Sequence, residues 1–85
     1  MIIKQETESK PIDQFPDGST VRIIHLNAGK GALSKLCALG LVPGTIVRVF
    51  INGKGPLKLR FRDTDLVIGR KFAEKILVRL VDDND

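Results

Sequence analysis

The segment Leu57–Arg62 (LKLRFR) alternates apolar and basic residues without exception. Because successive side chains of a β-strand point to opposite faces, this alternation predicts a strand with its apolar residues inward and its basic residues outward. The preceding segment Thr45–Ile51 (TIVRVFI) is rich in β-branched residues, and the Gly- and Pro-containing segment Asn52–Pro56 separates the two. These features predict an antiparallel hairpin and favour a mainly β fold.

Three further segments are predicted to be short strands, namely Thr20–Leu26, Leu66–Gly69 and Ile76–Val81. Residues 32–39 (ALSKLCAL) predict a helix of about two to three turns, with Leu33, Leu36 and Cys37 at helical spacing on one face. Five short strands with one short inserted α-helix predict a mainly β fold, a small five-stranded SH3-like barrel. An OB-fold is the competing topology, although its helix usually comes later in the chain.

The chain has 85 residues, which indicates a single folded domain. Polar, non-periodic residues 1–10 are predicted to be a flexible N-terminal extension, residues 11–81 the barrel domain, and residues 82–85 an acidic tail. The sequence shows neither a signal peptide nor an apolar run of the roughly 20 residues that span a bilayer. We therefore expect a cytoplasmic protein without direct membrane insertion.

Charge is unevenly distributed along the chain. Residues 21–81 hold twelve Lys and Arg against three Asp and Glu, a net +9 within a chain of net +4. This excess suggests an anionic partner, although a solvated basic surface is the simpler reading. A candidate basic stripe on the outer face of the hairpin consists of Arg48, Lys58, Arg60 and Arg62. Nucleic acid is disfavoured as the partner, because Phe50 is the sole aromatic candidate for base stacking there.

The composition argues against an enzyme, a cofactor site and a metal site. The single His25 and the single Cys37 are too few for an intramolecular zinc site, and one cysteine excludes an internal disulfide. No nucleophile motif or Walker-type phosphate loop is present. We predict no catalytic, cofactor-binding or metal-ligating residue, and we expect Cys37 to be a small buried hydrophobic residue.

The run Leu36–Thr45 (LCALGLVPGT), followed by Val47 and Val49, resembles the L-x-x-L-G-L-x-P-G and V-x-V pattern of the FeoA family. The similarity covers about residues 11–81 and includes the closing segment AEKILV at residues 73–78. It implies a small accessory protein for bacterial ferrous iron uptake. Its expected partner is the membrane transporter FeoB, which carries a cytosolic G-protein domain. A related domain ends iron-dependent repressors, so a regulatory module is an alternative, as is a basic nucleic-acid-binding barrel.

The helix and its flanks are a candidate docking ridge for that partner, with Lys30, Lys35, Leu39 and Leu41 as contact residues. The competing interpretation is that the leucines of this region cap the open end of the barrel. Because four apolar residues within nine exceed one narrow stripe, we expect most of them in the core and one or two exposed. The ridge and the basic stripe together are the candidate partner-binding residues.

Overall fold

The computed structural model describes residues 9–81, so the predicted acidic tail and most of the predicted extension lie outside the described residues. The elements follow in the order β1 (Lys10–Pro11), β2 (Thr20–Leu26), α1 (Lys30–Ala38), β3 (Ile46–Ile51), β4 (Leu57–Phe61), β5 (Thr64–Ile68), α2 (Arg70–Ala73) and β6 (Ile76–Leu80). A 3₁₀ turn, Ile12–Gln14, follows β1. The predicted mainly β architecture is confirmed, with α1 as the predicted inserted helix and α2 as an additional single turn. Neither helix within residues 9–81 is long and apolar enough to cross a membrane.

The strands form one antiparallel sheet in the order β1-β6-β2-β3-β4-β5. The sequence predicted five strands, and the sixth is β1, in which Lys10 lies opposite Val78 and Pro11 opposite Leu77. A strand of two residues has no alternation to detect, and its proline suits an edge because it has no N–H to donate. Over the described residues, β1 and β5 remain edges, so the sheet curls without closing through hydrogen bonds.

The core lies on the inner face of the sheet and is closed by the helices. The predicted inward residues Leu57 and Leu59 are fully buried, whereas Phe61 is half-buried at the end of β4. Leu36 from α1 and Ala73 from α2 complete the core. The other buried apolar residues are Ile12, Val21, Ile23, Leu26, Leu41, Val47, Val49, Ile68, Ile76 and Val78.

Gly40 ends α1 in a Schellman motif. It has φ +88, and its N–H donates to the carbonyl of Cys37 at 2.9 Å. The N–H of Leu41 donates to the carbonyl of Leu36 at 3.0 Å, and both leucine side chains are buried. This hydrogen-bond pair and the associated apolar contact are characteristic of the motif, which requires a left-handed residue where Gly40 lies. The motif thereby turns the chain from the helix into the core at Leu41.

A two-residue turn, Arg62–Asp63, joins β4 to β5, since Phe61 and Thr64 are already paired. Arg62 has φ 60, a left-handed conformation suited to such tight hairpins. The prediction that the strand continues through Arg62 is therefore wrong. The alternation of LKLRFR does not reveal where the pairing with β5 begins, because that depends on the register of both strands.

Asn52 connects three separate segments of the fold. Its side-chain amide donates to the carbonyls of Asp13 at 2.8 Å and Phe15 at 2.6 Å, and its backbone N–H donates to Asp17 Oδ1 at 2.6 Å. Its side-chain oxygen accepts a hydrogen bond from Arg70 Nη2 at 2.7 Å. The loop between β3 and β4 is thus tied to the 3₁₀ turn on one side and to α2 on the other.

Candidate functional site

A shallow apolar groove lies between α1 and the connection from β5 to α2. It has a volume of about 150 Å³ and is lined by Lys35, Leu36, Leu39, Val67, Ile68, Gly69 and Phe72. Leu36 and Ile68 are buried and belong to the core, whereas Leu39 is 44% exposed. The groove therefore offers an apolar surface supported by the core, with room for one or two apolar side chains of a partner.

Lys35 and Leu39 are four residues apart on α1 and so lie on the same side of the helix. The Lys35 Nζ is 6.0 Å from the centroid of the Phe72 ring on α2, which places a cation over the aromatic face across the groove. A positive charge thus stands at the border of an apolar surface. This arrangement suits a partner segment that carries an apolar residue next to an acidic one.

The other helix residues of the sequence prediction behave differently. Lys30 is exposed at the first residue of α1 but does not line the groove. Leu41 is 0% exposed, so it is a core residue and offers no surface to a partner, contrary to its selection as a contact residue. The reason is the Schellman motif, which directs the residue after Gly40 back onto Leu36.

Cys37 is exposed, so the prediction that it is buried is wrong. The side chain that α1 buries is Leu36, and the next residue along a helix is rotated by about 100° from it. The spacing of Leu33, Leu36 and Cys37 left open which part of the apolar face meets the core. The packing of α1 on the sheet selects Leu36.

Three groove residues, Val67, Gly69 and Phe72, were not identified from the sequence. They lie roughly thirty residues after α1, on β5, in the connection that follows it and on α2. The one local signal is Phe72, an aromatic residue in a short helix that is otherwise basic or small. Only the folding of the sheet brings these residues beside Leu39.

The basic stripe is present in part. Arg48 of β3 lies directly opposite Arg60 of β4, and Lys58 lies opposite Ile51, so these three cations share the outer face of the hairpin. Arg62 departs from them because it occupies the turn, where its guanidinium lies 5.0 Å from the centroid of the Phe61 ring. The predicted stripe of four is therefore corrected to three.

Asp65 of β5 partly neutralises this stripe. Its carboxylate accepts a hydrogen bond from Arg60 Nε at 2.8 Å and lies 3.7 Å from Lys58 Nζ. The hydrogen bond from Arg60 is the main cause that lowers the pKa of the Asp65 carboxyl, with burial opposing it and the charge of Arg60 adding to it. The same hydrogen bond raises the pKa of Arg60. Arg48 makes no ion pair within residues 9–81.

In the part of the chain that the structure describes, no group of three or more His, Cys, Asp and Glu side chains gathers to hold a metal ion. His25 is exposed on β2, and Cys37 is exposed on α1. The surface features of this region are thus an apolar groove and a basic sheet face.

A curled antiparallel sheet with a helix that borders an apolar groove is the architecture of a small SH3-like domain. The chain belongs to the FeoA family, because the family model described as "FeoA domain" matches residues 10–80. The match covers the whole sheet, including β1.

Known relatives agree with this assignment. The chain is 31% identical over 68 residues to "Putative Fe(2+) transport protein A" of Methanocaldococcus jannaschii, covering 80% of this chain and 83% of that protein. The crystal structure of an "Iron Uptake Regulatory Protein (FeoA)" is similar with a TM-score of 0.81 at 24% identity, covering 86% of this chain and 99% of that one. A "Manganese-dependent transcriptional repressor" also has a TM-score of 0.81 at 16% identity, covering 91% of this chain but 44% of its own. The two structural similarities concern the fold.

Proposed function

We propose that this protein is a small cytoplasmic accessory protein of ferrous iron uptake. It binds the cytosolic part of a FeoB-type membrane transporter and modulates it through protein–protein contact. Membership of the FeoA family, a family of small transport accessory proteins rather than a known enzyme family, supports this role. The name of the relative from Methanocaldococcus jannaschii, with its reference to Fe(2+) transport, supports it as well.

The observation that carries the proposal is the apolar groove with Lys35 at its border. Leu39 and Phe72 are positioned to cover an apolar side chain of the transporter, and Lys35 to pair with an acidic residue beside it. Burying apolar surface favours such a contact by about 25 cal/mol per Å², from which the entropic cost of association is subtracted. If one conformation of the transporter presents this segment better, binding shifts its equilibrium towards that conformation.

The test is the affinity of the full chain for the purified cytosolic domain of the transporter, measured by titration calorimetry. Leu39→Asp places a charge in the groove and should weaken binding at least tenfold, or about 1.4 kcal/mol. Because Leu39 is exposed, the circular dichroism spectrum should not change. Ser34→Asp is the matched control, since it adds the same charge at an exposed position of α1 that does not line the groove.

Binding that survives Leu39→Asp unchanged excludes the groove from the interface. An equal loss in Leu39→Asp and Ser34→Asp points to the charge of the helix as a whole rather than to the groove. No binding of the wild-type chain to any cytosolic part of the transporter overturns the proposal itself.

The similarity to a metal-dependent repressor supports one alternative, a regulatory module. Within residues 9–81, however, the two helices are separated by the strands β3, β4 and β5, so this region holds no helix-turn-helix. A regulatory module would therefore need another DNA-binding part. Co-purification with a DNA-binding protein, and not with the transporter, would favour this alternative.

A further inference from the structure

The outward side chains of β2 to β6 include a group of charged and large apolar residues that we name the basic face. Its members are Arg22, Ile46, Arg48, Phe50, Ile51, Lys58, Arg60, Asp65 and Arg79. The face holds five cations and one carboxylate. Of these five cations, Lys58 and Arg60 alone form ion pairs within residues 9–81, both with Asp65.

Two pairs of arginines lie directly opposite each other on this face. Arg22 is paired with Arg79 across β2 and β6, and Arg48 with Arg60 across β3 and β4. Like charges at directly opposite positions destabilise a sheet, and within residues 9–81 only Arg60 of these four arginines has a carboxylate partner, Asp65, to offset the repulsion. An anionic partner that lies on the face would relieve the repulsion in both pairs.

A cleft beside Arg22 and Arg79 is suited to bind a phosphate ester. It has a volume of about 200 Å³ and is lined by Arg22, Ile24, Arg79, Leu80 and Val81. Two guanidinium groups favour a phosphate through charge-assisted hydrogen bonds, while the aliphatic side chains favour hydrocarbon next to it. A phospholipid headgroup region presents this combination.

Large apolar side chains stand between the cations. The pairing of β3 with β4 shifts register between Val49 and Ile51, a bulge that allows Phe50 and Ile51 to project from the same face. Phe50 is 38%, Ile51 48% and Ile46 44% exposed. Ile46 lies opposite Arg22, and Ile51 lies opposite Lys58. Ile46 and Ile51 therefore each have a cation as their direct neighbour across the sheet.

We propose that the basic face binds the surface of a membrane that contains anionic phospholipids. Ile46 and Ile51 would enter the boundary between headgroups and acyl chains, and the long Arg and Lys side chains would reach the phosphates. Each cation near an anionic surface adds roughly fivefold to the affinity at low salt. The face has a net charge of +4, so its electrostatic attraction is substantial and sensitive to salt.

Nucleic acid fits this face less well. Binding of single strands uses exposed aromatic rings on which bases stack. The one aromatic ring of the face, Phe50, is covered by the Arg60 guanidinium at 4.6 Å and the Lys58 ammonium at 5.5 Å from the ring centroid. The lipid contact goes beyond the transporter contact and does not depend on it, because Lys35, Leu39 and Phe72 do not belong to the basic face.

The test is co-sedimentation of the full chain, with residues 82–85 present, with lipid vesicles. One set contains phosphatidylcholine alone, and the other contains about one third phosphatidylglycerol. We expect binding to the anionic vesicles only, with a steep loss at high salt. Arg48→Glu/Arg79→Glu should weaken binding at least tenfold. The same variant should be at least as stable as the wild type, because each glutamate now faces an arginine, which separates lost binding from lost folding.

The matched control is Lys30→Glu/Lys71→Glu, which makes the same change in formal charge on the two helices, at exposed positions. It should keep the affinity for anionic vesicles within about threefold. Absence of wild-type binding to anionic vesicles at low salt overturns the proposal. So does an equal loss in the helix variant, or tighter binding to duplex DNA than to the vesicles. None of these results bears on the transporter contact.

Discussion

The N–H of Leu41 donates a hydrogen bond to the carbonyl oxygen of Leu36 at 3.0 Å, and the two side chains are buried together in the core. Leu39, two residues before Leu41, is left outside this contact and is 44% exposed. The C-terminus of α1 therefore decides which leucine belongs to the core and which one lines the groove. Gly40 is the residue that makes this geometry accessible.

Gly40→Ala should lower the free energy of unfolding by about 1–3 kcal/mol, measured by urea denaturation. Gly40 has φ +88, and a Cβ there would lie 2.9 Å from Phe61 Cε2, so the ring must also move. Gly31→Ala is the control, because a Cβ at that position of α1 meets nothing within 4 Å. It should leave stability equal or higher by up to about 1 kcal/mol, since alanine is the better helix former. Equal stability of Gly40→Ala and the wild type would contradict the assigned role.

Asn52→Ala should lower the free energy of unfolding by about 2–3 kcal/mol in the same measurement, because several hydrogen bonds are lost together. The side chain donates hydrogen bonds to the carbonyls of Asp13 and Phe15 and accepts one from the guanidinium of Arg70. Asn27→Ala is the control, since Asn27 is exposed and its hydrogen bond to Lys75 comes from the backbone. It should change stability by less than about 0.5 kcal/mol. A similar small effect in Asn52→Ala would show that the loop is held by other contacts.

Asp65 should titrate below the ordinary aspartate pKa of about 3.9, as followed by NMR of its carboxyl carbon. The cause is the hydrogen bond from Arg60, so Arg60→Gln should return the pKa towards its ordinary value. Because the pKa is lower in the folded state, the stabilisation is complete above the unfolded pKa and is lost as the pH falls through the folded pKa. The pair is exposed, so its contribution is small. An unchanged Asp65 pKa in Arg60→Gln would contradict this assignment.

Local patterns predicted most of the sheet correctly. The alternation in Leu57–Arg62 and the β-branched run in Thr45–Ile51 correspond to β4 and β3 within one residue at each end. Both patterns reflect the two-residue period of a strand. This period is a property of the local backbone and does not require contacts with distant segments. The two-residue strand β1 was missed because Lys10 and Pro11 carry no such period.

Of the groove residues, the sequence predicted as partner contacts only those from the region of α1. Lys35 and Leu39 were predicted as contact residues of the docking ridge, and both line the groove. Val67 and Phe72 come from β5 and α2, and their position beside Leu39 depends on how the sheet curls. The orientation of Cys37 depends in the same way on the packing of α1, so its exposure was not predictable from spacing.

The sequence by itself determined five of the six strands, the inserted helix and the family, because each rests on residues that are neighbours in the chain. The tertiary structure alone decided that Leu41 is buried while Leu39 is exposed, that Arg62 turns the chain, and that Arg22 faces Arg79. These are results of strand register and of packing between distant segments. Their energies come from contacts that form only when the whole sheet is assembled.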